Sequence, residues 1–354
     1  VSRPWAGGSR VGGSQRRRTR VAVIGGGRSS EHAVSRQSAA AVAAALDRDQ
    51  YEVVRLTITR DGGWCLGFDA DGSGAVDVTR AGDDAGDDRA VGFATAIVAL
   101  QECDVAFPLV HGAHGEDGSL AALCDFAGIP YVGSGVTAGA LAMDKWTTKL
   151  AVEAAGVRTA PGYLVTRHGR PRRGWTGPAV VKPVNGGSSI GVTLVTSPAD
   201  LDDAVRRALE LDDRALVEEC VAGREIDIAV WDQGSAGHEP ITSPALEIIA
   251  PGLFDFAAKY EGEPDFRIPA GLSEAEDREL RRAAVAVYRA VGCTGVARTD
   301  FFLTAESGWI LNEVNTAPGM TPHSQVPKMF AAAGIGYPDL LDAMITDALG
   351  KPAS

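Results

Sequence analysis

Lysine is scarce in this chain. Of the 34 Lys and Arg in 354 residues only six are Lys, so each Lys is informative. Cysteine is also rare. Cys65, Cys103, Cys124, Cys220 and Cys293 are widely spaced and odd in number, with no C-x-x-C. That pattern argues against a disulfide framework and a structural zinc site, and it fits a reducing cytoplasm. No apolar run approaches the ~18 residues of a membrane-spanning helix. No G-x-x-x-x-G-K-[ST] occurs, which disfavours a P-loop enzyme. Basic charge is lacking as well: 46 Asp and Glu give a net charge of −12. The first twenty residues hold six Arg and no acid, leaving 28 basic against 46 acidic residues in the rest. Such an acidic body is a poor counterion for nucleic acid. Residues 1–19 lack the apolar stretch of a secretory signal and are expected to form a disordered leader.

What remains is ordinary for a soluble globular protein: 45% hydrophobic and 23% charged residues. The length suggests two or three domains. Arg20–Ile24, Tyr51–Thr59 and Asp104–Val110 read as strands around a helix at Ser35–Leu46, a rhythm that predicts a parallel sheet flanked by helices. Residues 69–90 read as a solvated loop. A helix is expected at Asp144–Ala155, with Asp144 as N-cap and Gly156 just past its end. Strands follow at 179–183, 191–195 and 215–219 around a helix at 199–211. The last part reads as strands at 225–231, 242–249, 296–303 and 309–314, with helices at 273–291 and 337–348 and a polar loop at 255–268. The expected units are residues 20–133, 134–222 and 223–354.

Five constellations could carry chemistry. Gly25-Gly-Gly-Arg-Ser-Ser-Glu-His32 lies between a strand and a helix. A dinucleotide loop would need a third Gly where Ser30 stands, and Glu31 would repel a pyrophosphate. Glu31 suits an ammonium, or the segment is a plain strand–helix turn. His111-Gly-Ala-His-Gly-Glu-Asp117 has the look of a metal site, but its glycines make a loop, so a polar loop near a site is the stronger reading. Lys182-Pro-Val-Asn-Gly-Gly-Ser-Ser-Ile-Gly191 is a phosphate cradle or an ordinary hairpin turn. Glu218 to Glu225 could meet ribose and adenine, or be solvated. Arg298 and Asp300 share a strand face, as do Glu313 and Asn315. Their oxygens suit Mg2+, and the other reading is a structural ion pair.

The ordered motifs at 26–35, 111–118, Pro130–Gly135, Met143–Lys145, 182–189 and Asn312–Thr321 resemble the D-alanine–D-alanine ligases of the ATP-grasp superfamily, from about residue 20 to 349. The resemblance implies an α/β fold with an N-terminal preATP-grasp domain and central and C-terminal domains clamping ATP. It implies a cytoplasmic homodimer that activates one D-alanine as an acyl phosphate and joins it to a second, for peptidoglycan. Glu31 would hold the first D-alanine's ammonium, with His111 near the substrates. Lys145 and Lys182 would sit on the phosphates. Ser188 would link to Glu31 and Tyr260, with Ser189 and Asn312 also near the nucleotide. Glu218 and Val221 would contact adenine, and Glu225 the ribose. Asp300, Glu313 and Asn315 would bind two Mg2+, with Mn2+ the alternative ion. Arg298 and the Gly319 amide would stabilise the oxyanion. Ser324 and Lys259 would meet the second carboxylate or the γ-phosphate, and Lys259-Tyr260 would lie in a lid at 255–268. Family members that make D-alanyl-D-lactate usually lack that Lys-Tyr pair, so Tyr260 favours an amine as second substrate.

Ala33 and Glu219 depart from the family pattern and bear on substrate preference. Three alternatives stand beside this one: an ATP-grasp ligase of another amino-acid pair, a nicotinamide oxidoreductase and a non-enzymatic nucleotide-binding module.

Overall fold

The computed structural model describes residues 17–68, 89–171, 177–233, 239–249 and 265–350. Three sheets carry the chain. The first contains β1 (Thr19–Gly26), β2 (Tyr51–Ile58), β3 (Trp64–Phe68), β4 (Arg89–Val91) and β5 (Val105–Pro108), in the order β4-β3-β2-β1-β5. β1 runs parallel to β2 and β5, with α1 (His32–Ala45) as the crossover. The sheet is not wholly parallel, however: β3 is antiparallel to both β2 and β4. The cause is local. Only Thr59–Gly63 separate β2 from β3, too few residues for a crossover helix. They close a tight turn in which Thr59 N donates to the Gly63 carbonyl at 2.9 Å. Of the loop expected at 69–90, residues 69–88 lie outside the described residues, and Arg89 already belongs to β4.

Helices α2 (Phe93–Gln101), α3 (Ser119–Ala127), α4 (Val136–Met143) and α5 (Lys145–Ala154) follow. Asp144 caps α5 as its sequence position predicts, accepting from Thr147 N at 2.8 Å. The chain leaves α5 through Gly156 at φ +82°. The second sheet holds β6 (Gly162–Thr166), β7 (Ala179–Pro183), β8 (Thr193–Val195) and β9 (Arg214–Glu219), all antiparallel, in the order β6-β9-β7-β8. Helix α6 (Leu201–Leu211) covers one face.

The third sheet runs β13-β12-β10-β14-β15, with β11 beside β10. Its strands are β10 (Arg224–Trp231), β11 (Ile241–Thr242), β12 (Leu246–Ile249), β13 (Asp265–Arg267), β14 (Val296–Thr304) and β15 (Gly308–Asn315). β13 occupies residues read from sequence as loop. Helix α7 (Glu274–Val291) starts in a capping box: Ser273 N donates to Glu276 Oε2 at 2.7 Å and Glu276 N to Ser273 Oγ at 3.3 Å. α8 (Gln325–Ala332) and α9 (Tyr337–Gly350) end the described chain.

Strand periodicity explains the cores. In β1, Val21 and Val23 face one cluster while Ala22 and Ile24 face another. In β10, Ala229 and Trp231 face one side, and Ile226, Ile228 and Val230 face α7. The first and third sheets share a core: Val23 and Phe107 join Trp231, Leu246, Phe330 and Met344. α4 and α5 pack with α7 on the far side of the third sheet. The second sheet has its own smaller core with α6.

Phe330 is 1% exposed and meets the Trp231 ring edge-on at 5.7 Å. Phe330→Ala is expected to cost roughly 3–5 kcal/mol, the range for emptying a buried aromatic site. Urea unfolding followed by tryptophan emission tests this, and an unmoved midpoint would contradict a core common to the two sheets.

Candidate active site

Glu31 sits at the start of α1, where β1 has delivered the chain to the sheet's edge. Two loops from elsewhere in the sequence close on its carboxylate. A Cβ on Gly112 would lie 2.8 Å from Oε2, and one on Gly187 would lie 2.9 Å from it, so a side chain at either position would push the Glu31 carboxylate aside. Ser188 Oγ donates to Glu31 Oε1. The link expected between these two residues is therefore present.

His111 ties three segments together. Its Nδ1 donates to the Ala317 carbonyl at 2.9 Å, which leaves Nε2 of a neutral ring to accept from Ser38 Oγ at 3.1 Å. Met320 N donates to that Ser38 oxygen at 3.4 Å. Burial pushes the imidazole pKa down, favouring the neutral form that these contacts require. His114 is exposed, and no group of three His, Cys, Asp or Glu poised for a metal occurs among the described residues. The metal-like reading of this loop is set aside.

The loop after β7 holds Ser188 and Ser189 at φ +53° and +57°, a left-handed backbone that side chains rarely adopt and that clusters at functional sites. Asn185 anchors it through its N and Nδ2, both donating to Asp212 Oδ2, at 2.7 and 2.9 Å. Lys145 Nζ donates to the Gly186 carbonyl at 2.5 Å and lies 3.8 Å from Glu313.

Lys182 and Glu218 share a face of the second sheet. Glu218 takes Lys182 on Oε1 at 2.5 Å and Lys149 on Oε2 at 2.9 Å. Burial pushes the Glu218 carboxyl up, but the two ammonium charges outweigh it and hold the group below the ordinary carboxylate range. Glu218 is thus not solvated, and its side chain is committed to the two lysines.

On the third sheet, Arg298 pairs in register with Asn315, and Asp300 with Glu313. A bulge follows Asp300 and re-aims the strand. Arg298 forks Asp300 with two 2.7 Å bonds and lies 3.7 Å from Asp227. Asn315 Nδ2 adds a 3.0 Å bond to Asp300 Oδ2. So the ion-pair reading of this cluster holds as well. Nearby, burial and the charge of Glu31 push the Glu116 carboxyl up to about 8. The acids here outnumber Arg298 and Lys145. A carboxylate has about four lone-pair sites, so the fork leaves Asp300 able to take a further partner. Asp300, Glu313 and Asn315 offer only oxygen ligands, and with that surplus of negative charge the set fits a hard divalent cation.

These side chains line two cavities, of about 390 and 660 Å3. The smaller contains Glu31, His111, Ser188, Arg298, Asp300, Asn315, Gly319 and Ser324. The larger contains Lys182, Ser189, Glu218, Val221 and Asn312. Lys145, Glu225 and Glu313 belong to both walls, so the cavities abut there. Lys259 and Tyr260 lie outside the described residues. Sequence reading missed three contributors: Lys149, Asp227 and Glu116. Lys149 carried a signal, being a rare Lys one helical turn from Lys145. Asp227 carried one too, as a lone acid in the apolar run of β10.

Comparison with known proteins agrees. A model of the D-ala D-ala ligase N-terminus matches residues 20–134, and one of the D-ala D-ala ligase C-terminus matches residues 170–346. A D-alanine–D-alanine ligase of Corynebacterium aurimucosum is 40% identical, with 94% of this chain and 98% of that protein covered. Among solved structures, the VanG D-Ala:D-Ser ligase from Enterococcus faecalis superposes with a TM-score of 0.78 at 30% identity, covering 94% of this chain and 100% of that one. The D-alanine–D-alanine ligase from Bacillus anthracis complexed with ATP superposes at 0.74 and 26% identity, covering 94% and 97%. Because the likeness runs through both family segments and nearly the full length of each relative, the chain belongs to the D-alanine–D-alanine ligase family and has its ATP-grasp fold.

Proposed function

We propose that this chain uses ATP to join two D-alanines into D-alanyl-D-alanine for peptidoglycan, releasing ADP and phosphate. The observation that carries the reading is the junction of the two cavities at Lys145, Gly186–Gly187 and Glu313. One cavity suits an amino acid and the other a nucleotide, so a carboxylate and a γ-phosphoryl group can meet at their seam.

In this reading Glu31 receives the first ammonium and turns the carboxylate towards Arg298. The carboxylate oxygen bonds to the γ-phosphorus as the bond to ADP breaks. The second amine then bonds to the acyl carbon, and the acyl C–O bond breaks to release phosphate. Arg298 and the Gly319 amide face the oxygen on which charge gathers, a contribution of ~3 kcal/mol per donor in other enzymes. Lys145 and Lys182 neutralise phosphates, and Ser188 and Ser189 place the covering loop. Val221 and Glu218 border adenine, the latter through its main chain because its carboxylate is taken. Asn312 and Glu225 border the nucleotide, Glu225 at the ribose. Asp300, Glu313 and Asn315 would hold Mg2+, two ions by family resemblance, which spreads the charge of the transferring phosphoryl group. Lys259 and Tyr260 are assigned to a covering segment by resemblance alone. The same reading gives a cytoplasmic homodimer built from units 20–133, 134–222 and 223–354. The free cysteines suit that compartment.

The likeness to a D-Ala:D-Ser ligase keeps a second acceptor in view. With ATP, Mg2+ and D-alanine, mass spectrometry is expected to find D-alanyl-D-alanine as main product, even when D-serine or D-lactate competes. A mixed peptide or depsipeptide as main product would move the chain to the other amino-acid-pair reading. Glu313→Gln is expected to weaken Mg2+ binding and to cut turnover by at least ~100-fold through lost charge at the phosphoryl centre. Phosphate release and Mg2+ titration measure both, and wild-type values would contradict the assignment.

A further inference from the structure

Lys182 and Glu218 line the larger cavity as an ion pair whose charges cancel when the two are counted alone. Behind them stands Lys149, which lines neither cavity. Lys149, Lys182 and Glu218 are all buried, at 7%, 6% and 7% exposure. On β7 and β9, Lys182 pairs with Leu216 and Val180 with Glu218, so alternation puts Lys182 and Glu218 on one face as diagonal neighbours. Lys149 comes from α5, which is anchored elsewhere. Val152 belongs to the core on the far side of the third sheet, and Thr148 Oγ1 donates to the Leu141 carbonyl at 2.5 Å. From that helix Lys149 Nζ donates to Glu218 Oε2 at 2.9 Å, while Lys182 Nζ meets Oε1 at 2.5 Å.

The mechanism above uses Lys182 and gives Lys149 no task. A buried ammonium is costly unless paired, and Glu218 alone would already pair Lys182. The second lysine changes the balance. Two ammonium charges on one carboxylate leave the triad with one positive charge in excess. Of the two, only Lys182 reaches the cavity, so the excess is presented there. At reduced dielectric such a surplus attracts an anion more strongly than it would in water. Without Lys149, Glu218 would offset Lys182 in full, and both carboxylate oxygens would be free to draw that ammonium back from the cavity.

We propose that Lys149 is a positioning residue for the nucleotide's phosphates: it occupies one oxygen of Glu218 and offsets that charge, so that Lys182 acts on the larger cavity as a net cation. The adenosine part of the nucleotide is uncharged and gains nothing from this arrangement. The proposal rests on the reading that the larger cavity takes ATP.

The test uses the full-length enzyme, with K149M and K149M/E218Q, and titrates ADP with Mg2+, and adenosine, by calorimetry. K149M is expected to weaken ADP binding by about tenfold or more, the order for one unit charge at a partly buried site, and adenosine binding by no more than about twofold. The KM of ATP is expected to rise in step, while the KM values for D-alanine stay within about twofold. K149M/E218Q removes both charges and leaves Lys182 unopposed, so its ADP affinity is expected to return to within about threefold of wild type. A purely structural role predicts the reverse, because the double variant loses more contacts than K149M. Wild-type ADP affinity in folded K149M, an equal loss for adenosine, or a double variant that binds ADP no better than K149M would each overturn the proposal. If K149M does not fold, the double variant decides alone, and an ADP affinity about tenfold below wild type overturns the proposal. A wild-type enzyme that binds neither ADP nor adenosine would instead overturn the nucleotide reading of the cavity, so the two failures are distinguishable.

Discussion

A charge taken out of water must find a partner, and that constraint organises this crevice. Arg298 is held between Asp300 and Asp227, two acids that face each other across β10 and β14. Glu218 is held between Lys149 and Lys182. Lys145 stands near Glu313, at the seam between the two groups. No one of these clusters lies within a single element. Each draws a side chain from at least two strands or helices, so the charge pairing also fixes how those elements meet. The acids left over are what make the site receptive to cations and ammonium groups.

Much of this was legible in the sequence. β7 falls at the residues expected for it, because Ala179-Val-Val-Lys-Pro is a β-branched run stopped by a loop that cannot be strand. The faces of β14 and β15 follow from simple alternation, and the pairing of Asp300 with Glu313 agrees with it. The Glu31–Ser188 link came from resemblance, since no spacing rule spans 157 residues. The three strands expected in the first sheet run parallel, and its antiparallel β3 was not foreseen because the turn at Asp61-Gly62-Gly63 was passed over in favour of the larger strand–helix rhythm. The apolar, Gly-containing α4 gave no periodic signal and went unseen. Lys149 and Asp227 each carried a weak signal in the sequence, but the partners that give them a role, Glu218 and Arg298, are supplied only by folding.

His111 shows how a motif residue can serve a site without touching its chemistry. Both ring nitrogens are spent on protein atoms. The ring clasps α1, its own loop and the segment before α8, and so sets how far Glu31 stands from Gly319 and Ser324. Ser38, an unremarkable residue of an Ala-rich helix, completes that clasp.

The division of the cores has a mechanical consequence. β1 and β10 are bolted to one another through common apolar contacts, whereas the four-stranded sheet keeps its oily side to itself beneath α6. It meets its neighbours chiefly through polar loops and charged pairs. Its position over the site is therefore set more by the Lys149–Glu218 and Asp144–Arg214 pairs than by buried apolar surface. The serine loop rides on it, and Glu31 is its latch.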